Sequence, residues 1–276
     1  MTWLTEPLSY DFMQAAFAIS AIVAAAGGAL SCFLVLKGWS LMGDAIAHAV
    51  LPGIVLAYLI GLPLLIGAFL AGMVCAALTG FLAENSRVKP DTVMGVVFSG
   101  MFALGVVIYR AIQTELHLDH ILFGDMLGVD WPDVASTAWI AVPALIATIL
   151  WRKDLLLFAF DPQHARAAGL ATGFLHYGLL AVISVVVVAA LEAVGLILAI
   201  ALLIGPGATA HLLTDRFDQM LLTSIGVAVA SAFGGVLLSF HLDSAPAPTI
   251  VVVQTGAFVL AFLLAPKHGL LMRGRA

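Results

Sequence analysis

The sequence predicts an all-α protein: a polytopic bundle of about nine transmembrane helices forming one domain over residues 1–276. Three observations predict it. Of the residues, 63% are hydrophobic and 10% are charged, against about 25% charged in soluble domains, and mean hydropathy is +1.13. A soluble fold could not hide that much apolar surface, so lipid must be the solvent for much of it. The apolar residues also fall in runs of about 20, the length a helix needs to cross the hydrocarbon core. Finally, the basic residues segregate to alternate connections between those runs.

The first predicted span, 12–36, contains no charge and is broken by Lys37, Gly38, Trp39 and Ser40. The second, 41–59, contains Asp44 and His48, and Gly61-Leu62-Pro63 turns the chain into the third, 64–83. A polar loop over 84–91 precedes the fourth span, 92–112. Residues 113–132 form a long acidic connection with Glu115, Asp119, Asp125 and Asp130, and the fifth span follows at 133–150. After a mixed loop over 151–170 come spans at 172–190, 194–213, 220–240 and 249–265, with Glu192 marking a short turn. Eight crossings is the alternative count. Glu6 and Asp11 precede the first span without any Lys or Arg, whereas a cleavable signal needs a basic start, so this span is expected to be permanent. Cys32 and Cys75 lie inside apolar runs and read as core filler, since thiolate metal sites and disulfide frameworks need more cysteines at closer spacing.

Lys37, Arg87, Lys89, Arg152, Lys153, Arg166, Arg216, Lys267, Arg273 and Arg275 fall on one side of this partition, leaving only Arg110 of the 11 basic residues on the other. Cytoplasmic loops carry the excess of Lys and Arg. The ten-residue side is therefore read as inside, which puts the N-terminus outside and the C-terminus inside. The outer face then collects Glu6, Asp11, Glu115, Asp119, Asp125, Asp130 and Asp133, an acidic mouth that attracts cations locally.

Ionisable groups within a span are costly and usually functional. Asp44 and His48 are four residues apart, which stacks them on one helix face. Such a pair can ligate a divalent cation. The carboxylate can instead orient the imidazole, or the two can form a structural pair at a helix start. Asp91 opens the fourth span, either as a further metal ligand or as an ordinary dipole partner or cap. His241 and Asp243, at the end of the eighth, read either as an entry ligand pair or as a polar turn before Pro246 and Pro248. His117, His120, His164 and His268 fall in loops, and His176 and His211 near span ends.

Within the loop 151–170, Asp161 suits an N-cap, Pro162 the first helical position and Gly169 a C-terminal stop. Residues 161–169 thus read as a short helix bearing Gln163 and Arg166, fit to dock a soluble partner or to lie in the interface. No GxxxxGK[ST] loop and no HExxH motif are present, so nucleotide binding and zinc proteolysis of those types are unsupported. Nothing resembles a nucleic-acid module.

Five segments together resemble a known family. They are KGWSLMGDAIAHAVLPG at 37–53, VKPDTVMGVVFS at 88–99, LFGDMLG at 122–128, DPQHARAAG at 161–169, and EAVG at 192–195 continuing to GPGATA at 205–210. They resemble the membrane permease subunits of bacterial ABC importers for zinc, manganese and iron, most closely the manganese/iron branch, over nearly the whole chain. The resemblance implies a homodimeric permease in the bacterial cytoplasmic (inner) membrane. Each copy would rest on a cytoplasmic ATPase subunit through the helix at 161–169, and an extracytoplasmic binding protein would deliver the ion. It maps the family's metal-handling Asp and His onto Asp44 and His48, with no tightly bound cofactor beyond the transported ion. It also implies a transport subunit rather than an enzyme.

An ATP-driven metal import permease is therefore the expected function. An ion-coupled secondary carrier is the alternative within transport, though such carriers often show internal repeats and none is visible. An intramembrane enzyme would have only Asp44 and His48 as its catalytic pair. Oxygen and nitrogen ligands suit manganese, iron and zinc alike.

Overall fold

The computed structural model describes residues 6–112, 124, 126–265 and 270. Among these residues a 3-10 turn, Pro7–Ser9, leads into eleven α-helices. They are α1 Asp11–Lys37, α2 Met42–Ile60, α3 Leu64–Asn85, α4 Pro90–Ala111, α5 Trp131–Leu150, α6 Arg152–Phe160, α7 Pro162–Ala167, α8 Thr172–Val194, α9 Leu196–Leu213, α10 Phe217–Leu242 and α11 Pro246–Leu264. No strand occurs among the described residues. Nine of these helices, all except α6 and α7, are long and apolar enough to cross a membrane, and they match the nine predicted spans in order.

Local chemistry sets the ends. Gly38 (φ 69) and Gly61 (φ 70) take the left-handed conformation after α1 and α2, which glycine adopts without a Cβ penalty. The next N–H groups, of Trp39 and Leu62, then donate back to the Leu34 and Ala57 carbonyls at 2.8 and 2.9 Å. α5 begins on a reciprocal capping box between Asp130 and Asp133, so these two acids start a helix.

The helices pack around a smaller apolar centre at Ala29, Cys32, Ala210, Met220 and Leu221 and two large ones. One lies where α2, α3 and α8 meet, and includes Phe33, Ile46, Met94, Leu180 and Ile183. The other, around α1, α9 and α10, includes Met13, Ile19, Leu198 and Leu202. Without a hydrophobic drive between helices in lipid, close approach depends on small residues. A β-carbon on Gly53 of α2 would strike the Gly67 carbonyl oxygen of α3, and the converse holds for Gly67. Ile60, Val96, Trp139, Leu222 and Val252 point outward, each more than two-thirds exposed, as lipid-facing positions should.

The sequence reading differs from the structure in three places. Residues 152–160, read as loop, form α6. The charged Arg152-Lys153-Asp154 occupies the first turn of this helix, which buries Leu155 and Phe158. Pro246 and Pro248, read as preceding a span that starts at 249, lie in the first turn of α11, where a missing N–H leaves no bond unmade. Glu192 stands in the last turn of α8, and Gly195 alone separates that helix from α9. Glu115, His117, Asp119, His120, Asp125, Lys267, His268, Arg273 and Arg275 lie outside the described residues.

Candidate functional site

Asp44 lies in the first turn of α2, where the positive end of the helix dipole favours a carboxylate. One turn later, the His48 Nδ1 is 3.1 Å from Asp44 Oδ1 and 3.0 Å from the Asp44 backbone oxygen. Both partners are oxygens and can only accept, so Nδ1 carries the hydrogen and donates. The neutral imidazole is thereby fixed in the tautomer that leaves the Nε2 lone pair available. A carboxylate that orients a histidine in this way also raises its basicity as a ligand. The two side chains are 27% (His48) and 25% (Asp44) exposed, so the pair is reachable without facing open surroundings.

α4 covers the same face of α2. The His48 ring lies 5.5 Å from the Phe98 ring and 5.6 Å from the Phe102 ring. One turn further on, Pro52 of α2 packs against Gly105 of α4. Phe98, Phe102 and Gly105 follow an i, i+4, i+7 pattern that matches His48 and Pro52 opposite. The sequence reading missed these walls. Their signal was present in that spacing, but nothing in one chain said which helix α4 would face.

The other candidates do not join this pair. Asp91 is exposed in the first turn of α4, seven residues before Phe98 and so roughly 10 Å away along the axis. His241 and Asp243 sit at the far end of α10, whose main neighbours are α1, α9 and α11 rather than α2. Asp243 caps α10 at φ 51, a left-handed position that Asp tolerates better than most residues, and His241 stacks edge-on to Phe240 at 5.3 Å. Among the described residues no three His, Cys, Asp or Glu side chains gather as a metal centre. Within one chain, the arrangement offers one imidazole nitrogen and one carboxylate to a passing divalent cation. That is too few ligands for a closed structural site, but suited to a site that must release its ion.

In the segment 161–169, the Asp161 Oδ1 accepts from the Gln163 and His164 N–H groups at 3.0 and 2.9 Å. This is the N-cap the sequence predicted. Pro162 opens α7, and Gly169 (φ 86) donates its N–H to the Arg166 carbonyl at 3.1 Å. Ala165 is buried against the bundle while Gln163, His164 and Arg166 are exposed, so α7 is anchored on one side and open on the other. Cys32 and Cys75 are free and buried.

The model of the ABC 3 transport family matches residues 9–265. The chelated iron transport system membrane protein YfeD of Yersinia pestis is 54% identical over 260 residues, covering 94% of this chain and 88% of that one. The manganese transport system membrane protein MntB of Synechocystis is 47% identical over 269 residues, covering 98% and 88%. Among solved structures, PsaBC from Streptococcus pneumoniae in complex with Fab superposes with a TM-score of 0.86 at 34% identity, covering 96% of each chain. The sequence resemblance, the nine apolar helices and the matched model agree: the chain belongs to the ABC 3 transport family, as a membrane transport component and not an enzyme.

Proposed function

We propose that the chain is the permease of an ATP-driven importer that moves manganese or iron into the cytoplasm, with zinc the next candidate. The observation that carries the reading is the Asp44–His48 pair, whose Nδ1–H is committed to Asp44 at 3.1 Å so that the Nε2 lone pair is left for a ligand. The relatives' names, which speak of iron and manganese, support the choice of metal. The affinity order of first-row ions places manganese and iron below zinc at any nitrogen–oxygen site, so selectivity among them must come from delivery and geometry.

Transport by this reading runs as follows. An extracytoplasmic binding protein releases the ion at the outer mouth, near His241 and Asp243. The ion descends to Asp44 and His48, where water and the same pair from a second copy of the chain complete its shell. Two copies in the inner membrane, N-termini outside, thus share one pathway through a single permease domain each. A cytoplasmic ATPase binds the exposed side of α7 through Gln163 and Arg166. Asp91, near the inner end of α4, takes the ion on release. ATP hydrolysis resides on the partner subunit.

The test is uptake into proteoliposomes holding the permease with its ATPase and binding protein, with manganese, iron and zinc compared. Uptake that requires ATP inside the ATPase compartment supports the reading. Uptake driven by an ion gradient alone, without the ATPase, assigns the chain to secondary carriers instead.

A further inference from the structure

Lys37 closes α1, and its ammonium lies 3.7 Å from the Phe158 ring centroid and 4.7 Å from the Trp39 ring centroid. The His176 ring stands edge-on to both, 5.3 Å from Trp39 and 6.1 Å from Phe158. A cation held this close to aromatic faces is bound by them, and the attraction fades beyond about 6 Å. Trp39 is held in place by the left-handed Gly38 and by its own N–H bond to the Leu34 carbonyl at 2.8 Å.

The origins of these four groups give the box its meaning. α7 rests on α6 and α8. α6 supplies Phe158, three residues before the Asp161 cap of α7, and α8 supplies His176. Lys37 ends α1, and Trp39 lies in the turn that leads into α2. The Trp39 carbonyl accepts the Met42 N–H at 2.9 Å, and Asp44 follows two residues later. Both neighbours of α7 therefore present a ring to the segment that sets the start of α2. A cleft of about 450 Å³ opens beside the box, lined by Lys37, Trp39, Phe158, Pro162, Arg166 and His176. α7 and the box border the same open space, while Ala165 keeps the inner side of α7 packed on the bundle.

We infer that Lys37 is a positioning residue for transport: its ammonium, gripped by Phe158 and Trp39, transmits displacement of α7 to the start of α2 and hence to Asp44 and His48. This rests on the reading that α7 meets the ATPase. A lysine that merely anchors a helix end at the interface would contribute to stability. A transmitting lysine sets how much metal moves per ATP.

The experiment measures ATP hydrolysis and manganese uptake together in proteoliposomes of the whole complex. Lys37→Met keeps the aliphatic stem and removes the charge, and Lys37→Arg keeps a cation able to stack on the rings. Lys37→Met is expected to hydrolyse ATP within about twofold of wild type while manganese moved per ATP falls about tenfold, on the scale of one lost cation–π contact. Lys37→Arg is expected to restore the ratio to within about twofold. Phe158→Leu, which removes the ring but keeps apolar volume, should uncouple in the same way and serves if Lys37→Met fails to assemble. A wild-type ratio in Lys37→Met or Phe158→Leu overturns the inference while leaving the transport reading intact. So does a loss of hydrolysis and uptake in parallel. A wild-type complex that takes up no metal overturns the transport reading, and this inference with it.

Discussion

Gly105 of α4 meets Pro52 of α2 so closely that a β-carbon at Gly105 would lie 2.8 Å from both the proline nitrogen and its Cδ. Proline lacks the N–H that would otherwise bond the carbonyl four residues back, which is that of His48. The helix is thus loosened one turn beyond the imidazole, and α4 presses on it at that point. Neither a backbone nitrogen nor a pyrrolidine ring can swing aside, so Gly105→Ala forces the helices apart. We expect a loss of about 1–3 kcal/mol, as for overpacked cores, read as a lower thermal midpoint of the detergent-solubilised protein. Gly100→Ala, where an added β-carbon meets nothing within 4 Å, should be neutral or mildly stabilising.

Topology gives a second prediction. Cys32 and Cys75 are both 0% exposed, so a single introduced cysteine can be followed against a silent background. Ser244→Cys should react with an impermeant maleimide in intact cells, and Gln163→Cys only after permeabilisation. The opposite pattern would invert the assigned orientation.

α7 supplies a third. Asp161→Ala removes an acceptor shared by two backbone N–H groups, a loss of about 0.5–2 kcal/mol to the helix start. Since α7 is only six residues long, that is enough to unfold it locally. Co-purification with the ATPase should weaken while membrane insertion is unchanged, and a cross-link from Gln163→Cys to the ATPase should be lost. Asp161→Asn, which keeps a capping oxygen, should retain both. Undiminished ATPase binding by Asp161→Ala would remove α7 from the interface.

The crossings, the Asp44–His48 stack and the Asp161 cap were legible because each rests on local rules: run length, i, i+4 spacing and capping chemistry. What was not legible depends on which helices touch. Phe98 and Phe102 line the imidazole only because α4 lies across α2, and Lys37 meets Phe158 across more than a hundred residues. α6 was misread for a different reason. Three consecutive charges at its start masked a short helix whose apolar side, Leu155 and Phe158, is too brief to show periodicity. His241 and Asp243 looked like companions to Asp44 by residue type, but α2 and α10 place the two pairs at opposite ends of the bundle.

In the proposed function, Asp44 holds His48 so that Nε2 can take a divalent ion during ATP-driven transport. Manganese uptake into proteoliposomes of the assembled complex, compared between wild type and Asp44→Asn, tests it most directly. The asparagine can keep the Nδ1–H contact but not the charge, and loss of such a partner typically weakens a histidine–metal bond by about 10–100-fold. Asp44→Asn is expected to insert, bind its ATPase and hydrolyse ATP, yet to take up manganese at least about tenfold more slowly, with Asp44→Glu intermediate. Uptake by a properly assembled Asp44→Asn complex at the wild-type rate would contradict it.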